Sequence, residues 1–291
     1  MKRGDFIKSL GGLIAMSTLD LKAFGNGMLD SANTAKMPVL FIGHGSPMNA
    51  IEQNAYTKSL NKLGQSLEKP KAIMVVSAHW QTRGTYVHTS PAPKTIHDFG
   101  GFPQALFDVQ YPAKGSPEFA EAVTKQVKTT QVLHDDDWGL DHGAWAVLRQ
   151  IYPDANIPVF QMSLDFSKGP AYHYQLAKEL DALRSKGLLI LGSGNIVHNL
   201  GILDWNSPHG KGYDWAIEFD EKVKKNLISH THEELIDYTR LGKAAQLSVP
   251  TNEHYLPMLY AAALQQKNEE LSFIYEEMQM GSISMRCFMI N

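Results

Sequence analysis

A histidine held between two glycines, at the end of a short apolar run, is the feature that most constrains the fold of this chain. Residues 39–42 are Val-Leu-Phe-Ile, and Gly-His-Gly-Ser-Pro follows directly. A run of this kind, bounded by turn residues, is typical of a buried strand. The flanking glycines let the backbone at His44 take unusual dihedral angles and approach a ligand closely. Because sites in open α/β sheets collect at the carboxyl ends of strands, His44 is a candidate site residue.

A second strand-to-histidine pattern supports the same interpretation. Residues 72–78 form another apolar run, and His79 and Trp80 follow it. Two histidines at the ends of two buried strands predict a metal site.

Composition limits the chemistry that this site can use. The chain has 291 residues, a formal net charge of −3 and a single cysteine. The charge provides no basic surface for nucleic acid, which is therefore not an expected partner. One cysteine excludes an intrachain disulfide framework and any metal site with several thiolates. The ligands of a metal would therefore be imidazole and carboxylate groups, which favours zinc, iron or manganese.

Apolar spacing along the chain alternates between strand-like and helix-like segments. The predicted strands are residues 39–42, 72–78, 82–89, 130–134, 157–164, 188–191, 271–275 and 282–290, and the predicted helices are residues 54–67, 116–128, 144–152, 171–186, 214–229, 232–240 and 255–265. This alternation predicts an α/β fold, with a largely parallel central sheet flanked by helices. No repeat or linker interrupts residues 37–291, so we expect one domain. Residues 206–212 are the only candidate boundary, and their composition fits a surface loop equally well.

The first 36 residues are expected to be a leader or a disordered tail outside this domain. Lys2 and Arg3 resemble the start of a twin-arginine export signal, but Gly4 stands where the second arginine belongs. The apolar stretch that follows is weak and short. A cytoplasmic location is favoured, and export through this degenerate leader is the alternative. No stretch of the sequence approaches the roughly 18 apolar residues that span a membrane.

The chain contains twelve histidines, and their positions divide them into groups. Polar or helix-surface neighbours explain six of them: His88, His134, His173, His209, His230 and His232. Four others follow buried strands or begin an apolar helix, where a polar ring is unexpected: His44, His79, His198 and His254. Since neutral imidazole is the commonest metal-binding side chain, we expect these four to form one cluster.

Two further histidines are candidates for other roles. His142 comes just before a predicted helix, where it can act as an acid or base or simply hydrogen-bond to Asp141. His97 lies in a long loop, residues 90–112, where it can orient a substrate or cap a turn. A loop of this length inside a compact domain is usually functional.

Other catalytic chemistries lack the required motifs. The sequence has no Gly-x-Ser-x-Gly nucleophile elbow and no phosphate-binding loop, and Gly-Ser-Gly at residues 192–194 lacks the third glycine of a dinucleotide fingerprint. The single cysteine, Cys287, lies in a predicted strand and is expected to belong to the core.

Six sequence blocks together resemble a known enzyme family. They occur in the following order: Gly43-His44-Gly45-Ser46-Pro47-Met48, Ser77-Ala78-His79-Trp80, His97-Asp98-Phe99-Gly100-Gly101-Phe102-Pro103, Asp141-His142-Gly143, Gly194-Asn195-Ile196-Val197-His198-Asn199 and Glu253-His254-Tyr255-Leu256-Pro257. This set closely resembles the DODA-type branch of the class III (LigB-like) extradiol ring-cleavage dioxygenases, which includes bacterial 4,5-DOPA extradiol dioxygenases. The resemblance runs from about residue 37 to the C-terminus.

The resemblance implies a single LigB-like α/β domain with one non-haem metal ion. The family's metal-site histidines correspond to His44, His79, His198 and His254. Turnover with oxygen would need Fe(II), and Zn(II) can occupy the same site. The acid/base residues are expected to be His198 and His142. Two points stay open at this stage: whether Glu253 or His254 is the third ligand, and whether His198 is a ligand or a base.

The implied reaction is cleavage of a DOPA-like catechol by O2 to a muconic semialdehyde. His97, Phe99 and Phe102 are the expected substrate-binding residues, and a monomer is one state that the sequence allows. Two alternatives use the same histidines. One is a zinc-dependent hydrolase or amidase with a metal-bound water. The other is a non-catalytic, MEMO-like metal-binding protein.

Overall fold

A computed structural model describes residues 36–207 and 210–291. The predicted leader lies outside the described residues except for Lys36, and so does His209. The proposed domain limit at residue 37 therefore stays a prediction. No helix among the described residues is long and apolar enough to cross a membrane.

An eight-stranded sheet forms the centre of the molecule. Its strands are β1 (Val39–Gly43), β2 (Ala72–Thr82), β3 (Thr85–His88), β4 (Val132–Asp135), β5 (Val159–Asp165), β6 (Leu188–Gly194), β7 (Leu271–Tyr275) and β10 (Cys287–Ile290). They lie side by side in the order β4-β3-β5-β2-β6-β1-β10-β7. A two-stranded ribbon pairs β8 (Met278–Gln279) with β9 (Ile283–Ser284). The four central strands β5, β2, β6 and β1 are parallel. The antiparallel pairs lie towards the edges, so the predicted largely parallel α/β fold is confirmed.

Helices cover both faces of this sheet. They are α1 (Ala55–Ser66), α2 (Gln104–Phe107), α3 (Pro117–Gln126), α4 (His142–Ile151), α5 (Pro170–Lys178), α6 (Asp181–Arg184), α7 (Asp214–Ile228), α8 (His232–Ile236), α9 (Lys243–Ser248) and α10 (Leu256–Ala263). Short 3-10 helices lie at Pro47–Ala50, Leu200–Ile202 and Tyr238–Leu241.

Alternating side chains of the central strands supply two separate core layers. Val39 and Phe41 pack into the layer that contains α10, whereas Leu40 and Ile42 pack into the layer that contains α4. This alternation follows from the two-residue period of a strand, and burial on both faces explains why the runs are continuously apolar. Cys287 is buried in the second layer, as predicted for a core residue.

Several predicted element boundaries were wrong. Residues 171–186 form two helices, α5 and α6, rather than one, and residues 232–240 divide into α8 and a 3-10 helix. The predicted closing strand at 282–290 is broken between β9 and β10. Helix α9 and the short helix α2 inside the long loop were not predicted. In the two divided helices, apolar residues at helical spacing continue across positions where the backbone leaves the α-helical pattern, at residues 179–180 and at residue 237.

Candidate metal centre

His44 lies directly after β1, as the sequence predicts. Its backbone N–H donates to the carbonyl of Gly194 at 3.0 Å, which continues the parallel pairing of β1 with β6. Gly45 has φ +58°, and a Cβ there would lie 2.4 Å from the sulfur of Met285. The positive φ therefore favours glycine on this side of His44, and a Cβ would also force the buried side chain of Met285 to move.

His79 lies inside β2 and not beyond its end, which corrects the predicted strand boundary. The pairing of β2 with β5 shifts register between Val76 and Gln81, so the strand is irregular where His79 lies. Irregularities of this kind re-aim side chains and are common beside active sites. His79 therefore still faces the same end of the sheet as His44.

His254 is brought to the cluster by close packing of its segment against β6. The carbonyl of His254 accepts the N–H of Asn195 at 2.9 Å. A Cβ on Gly194 would lie 2.1 Å from that carbonyl oxygen, so only glycine permits this approach. Gly192 and Gly194 are thus residues of β6 that admit a neighbouring backbone, and β6 extends past the predicted limit at residue 191.

His198 is fixed beside His254. Its backbone N–H donates to the carbonyl of Ser248 at 2.9 Å, and it forms an isolated bridge with Ile283. The imidazole rings of His198 and His254 are stacked, with centroids 3.5 Å apart and an interplanar angle of 10°.

His142 is the first residue of α4 and completes a group of five histidines. Asp141 caps this helix by accepting the N–H of Ala144 at 3.2 Å. The His142 ring centroid is 3.9 Å from that of His79 and 5.6 Å from that of His44. The partner of its side chain is Asp98 and not Asp141, because Nδ1 of His142 lies 3.0 Å from Oδ2 of Asp98.

His44, His79 and His254 lie at the centre of this group of five histidines. Their ring centroids are 5.0, 5.3 and 5.1 Å apart in the three pairs. Potential ligand atoms of His44, His79 and His142 lie within 4.8 Å of one another, and those of His198, Glu253 and His254 do the same. The structure thus brings together all four predicted metal-site histidines and the predicted acid/base His142.

Hydrogen bonding fixes the proton of His44 on Nδ1. The hydroxyl of Ser193 donates its only proton to the carbonyl of Gly143 at 2.6 Å. Its oxygen must therefore accept from Nδ1 of His44, 3.0 Å away. Nε2 of His44 is left with a free lone pair, which is the form that binds a metal.

Carboxylates lie beside Nδ1 of His79 and of His254, where their negative charge favours a proton on that nitrogen. Nδ1 of His79 lies 3.4 Å from Oδ2 of Asp98, and Nδ1 of His254 lies 3.0 Å from Oε1 of Glu253. Partners of this kind orient metal-binding histidines in known sites. Glu253 also accepts a hydrogen bond from the hydroxyl of Thr251 at 2.9 Å. This second contact holds the carboxylate in place beside Nδ1 of His254.

The separation of two free nitrogens provides a test of whether a metal fits. Nε2 of His44 and Nε2 of His79 are 3.2 Å apart. Two nitrogens that each lie about 2.1 Å from one ion are about 3.0–3.4 Å apart at ordinary coordination angles. Two facing lone pairs at this distance repel unless a cation lies between them. The donor set therefore fits one divalent metal ion.

Burial keeps these histidines neutral, as metal binding requires. It lowers the pKa of His79 to about 3, with neighbouring His142 adding to the effect and Asp98 opposing it. Burial also lowers the pKa of His198 to about 4, and lowers the pKa of His44 and of His254 well below the ordinary value.

Asp98 is a site residue that the sequence-based prediction missed. Its Oδ1 accepts the backbone N–H of His142 at 2.9 Å, while Oδ2 faces the rings of His142 and His79. Burial alone would raise the pKa of Asp98, but these histidine contacts outweigh it and lower the pKa to about 2. The signal that could have identified it is its place in the block at residues 97–103, directly before Phe99.

A cavity of about 780 Å³ opens onto the histidines. Two of the predicted substrate-binding residues, Phe99 and Phe102, line it, and their rings meet edge to face with centroids 5.4 Å apart. The third, His97, is not among the lining residues. Nε2 of His97 instead lies 3.0 Å from the carbonyl oxygen of Val109, and the ring packs beside Phe99.

Six histidines were expected to be structural, and the five of them within the described residues do not line this cavity. His173 is buried against the hydroxyl of Tyr260, and His232 lies between Tyr174 and Gln265. His134 contacts the Thr124 hydroxyl at the surface. His88 is buried and not at a polar surface, contrary to the neighbourhood that its sequence suggested.

Comparison with known proteins identifies the family. Residues 38–286 match the family described as the catalytic LigB subunit of aromatic ring-opening dioxygenase. A protein of Escherichia coli (strain K12) named 4,5-DOPA dioxygenase extradiol is 47% identical over 257 residues, which cover 87% of this chain and 94% of that protein. A protein of Beta vulgaris with the same name is 35% identical over 251 residues, covering 84% of this chain and 92% of that protein.

A solved structure agrees with this assignment. The crystal structure of an uncharacterized protein from Escherichia coli K12 superposes with a TM-score of 0.76 at 42% sequence identity, covering 88% of this chain and all of that one. The fold is thus shared with this protein of known structure. The chain belongs to the LigB family of aromatic ring-opening dioxygenases.

Proposed function

We propose that this protein is an Fe(II)-dependent extradiol dioxygenase that opens the ring of a DOPA-like catechol to a muconic semialdehyde. Family membership and relatives named 4,5-DOPA dioxygenase extradiol support the reaction class. The observation that carries the proposal is the convergence of His44, His79 and His254, each with Nδ1 next to a side-chain oxygen.

His44, His79 and His254 would hold the metal through their Nε2 atoms. Fe(II) supplies the redox-active centre at which a catechol and O2 react, whereas zinc has no accessible redox change and would fill the site without turnover. The choice of His254 over Glu253 rests on the position of Glu253 at Nδ1 of His254, where it orients the ring.

His198 and His142 are positioned to move protons. The lowered pKa of His198 keeps its ring neutral at pH 7, so it can accept a proton from a catechol hydroxyl. The Asp98 carboxylate at Nδ1 of His142 favours the tautomer whose Nε2 accepts a proton. We assign His198 as the base rather than a ligand, because stacked rings hold their in-plane lone pairs in nearly parallel planes, which do not meet at one ion.

The aromatic wall of the cavity would orient the catechol ring and exclude water. Phe99 lies edge-on to His142 with ring centroids 5.6 Å apart, and Phe102 continues this wall. An aromatic ring packed between these groups gains both apolar burial and edge-to-face contacts. Such placement holds the hydroxyl groups next to the histidines, which reduces the entropy cost of the reaction.

The test is anaerobic loading of the purified protein with Fe(II), followed by addition of a catechol and air. We expect consumption of O2 and formation of a yellow ring-opened product, and the zinc-loaded protein should be inactive. Protein that is folded and fully loaded with Fe(II) but cleaves no catechol would contradict the proposal and favour the non-catalytic alternative.

A further inference from the structure

The wall of the histidine cavity carries an uneven distribution of charge. Apart from its histidines, Glu52 is the one ionisable side chain among the described residues that line it. No Lys or Arg belongs to the described lining. The remaining polar side chains there are uncharged and include Asn54 and Gln279.

Glu52 has a fixed backbone and an available carboxylate. It follows the 3-10 helix Pro47–Ala50, and its N–H donates to the carbonyl of Met48 at 3.0 Å. The residue is exposed, and its carboxylate forms no ion pair with any residue in the described part of the chain. This acid is therefore free to pair with a ligand.

The position of the histidines determines what Glu52 can contact. A catechol bound at His44 and His79 places its two hydroxyl groups at the cluster, which directs its ring substituent away from the histidines and towards the rest of the lining. A carboxylate on that substituent would find no cationic side chain in the described lining and one like charge. An ammonium group would find an opposite charge.

We propose that Glu52 is a specificity-determining residue that selects catechols whose side chain carries an ammonium group over catechols whose side chain carries only a carboxylate. This inference rests on the proposed function, because it concerns the substrate of the same cavity. It adds a residue to recognition of the substrate and leaves the chemistry at the histidines as described.

Three catechols with side chains of similar size provide the test: dopamine with an ammonium group, 4-ethylcatechol with none, and 3,4-dihydroxyphenylacetate with a carboxylate. Cleavage is measured as kcat/KM with the Fe(II)-loaded protein. Binding is measured separately by calorimetry with the zinc-loaded protein. The variant is Glu52→Gln, and Glu68→Gln is the matched control because Glu68 is exposed and does not line the cavity.

For the wild-type protein we expect both binding affinity and kcat/KM to decrease from dopamine to 4-ethylcatechol to 3,4-dihydroxyphenylacetate. Glu52→Gln should lower the ratio of dopamine to 4-ethylcatechol by about two- to fivefold, the size expected for an ion pair at an exposed acid. Glu68→Gln should keep the wild-type ratio.

Two results would overturn the inference: a wild-type protein that binds the three compounds equally, or a Glu52→Gln variant that keeps the wild-type ratios. Failure of the proposed function gives a different pattern. In that case the Fe(II)-loaded protein cleaves none of the three compounds, whatever their order of binding to the zinc form.

Discussion

The imidazole rings of His198 and His254 are stacked face to face, with centroids 3.5 Å apart. Nδ1 of His254 contacts the Glu253 carboxylate, while the ring itself faces His44 and His79. Stacking therefore pairs a candidate metal ligand with a candidate base, and the two roles are separable by mutation.

Replacement of His254 by Ala should remove the bound metal and the activity together. His198→Ala should keep most of the metal but lower kcat by about 10²–10⁴-fold, the usual contribution of a proton-transfer residue. Metal analysis of the purified variants beside turnover measurements checks this, with His134→Ala as a control at the surface. Near-complete loss of metal from His198→Ala would make His198 a ligand instead.

Asp98→Asn should reduce metal affinity or turnover by about 10–100-fold. Loss of a carboxylate that contacts the second ring nitrogen of a metal-binding histidine commonly has an effect of this size. The amide retains an oxygen for the backbone N–H of His142 but loses the charge beside Nδ1 of His142 and of His79. Competitive metal titration and steady-state kinetics measure the effect. Asp108→Asn is the control, since this exposed acid contacts Gln104 away from the cluster. Wild-type behaviour of Asp98→Asn would show that the contact is incidental.

Gly143→Ala should destabilise the protein by about 1–3 kcal/mol, the usual cost of overpacking, and weaken metal binding. A Cβ at this position would lie 2.5 Å from Oγ of Ser77 and 3.1 Å from Cδ2 of His79. Urea unfolding and metal titration test both effects. Gly169→Ala serves for comparison, because no heavy atom lies within 4 Å of the added carbon. Equal stability and equal metal affinity in the two variants would refute the prediction.

The metal-free protein should lose stability as the pH falls below about 6.5. His79 and His198 have folded-state pKa values of about 3 and about 4, against 6.5 for an unperturbed histidine. The unfolded chain therefore binds more protons in this range, so its free energy falls relative to that of the folded state. The contribution of these two neutral rings to the free energy of unfolding is fully present above pH 6.5 and is lost progressively towards pH 4.

Between pH 6.5 and pH 5 we expect a loss of at least about 2 kcal/mol in the free energy of unfolding, from urea titrations at each pH. The variant His79→Gln should show a shallower dependence over the same range. An unfolding free energy that is flat from pH 6.5 to 5 would contradict the burial of neutral rings.

Strand positions and most helices could be predicted because continuous apolar runs and helical spacing are local signals. The histidines at 44, 79, 198 and 254 were identified for a related reason, since a polar ring next to a buried strand is locally unusual. The meeting of His44 and His79 at one edge of the sheet then follows from parallel strand order.

Other features depended on contacts between distant segments. Asp98 gains its role only when the loop that carries it reaches α4 and β2, and no local pattern shows this approach. His97 sits one position away and packs against Val109 instead of the cavity. The proton on Nδ1 of His44 likewise depends on Ser193 and Gly143, which lie about 150 and 100 residues away in the chain.

Incorporation of ¹⁸O2 by the Fe(II)-loaded protein tests the central claim most directly. A dioxygenase places both atoms of one O2 molecule in the ring-opened product, so its mass should rise by two ¹⁸O atoms when catechol is cleaved under ¹⁸O2 in ordinary water, apart from carbonyl exchange. A hydrolase would take its oxygen from water. A product that gains no ¹⁸O from O2, with label entering only from H2¹⁸O, would contradict the account.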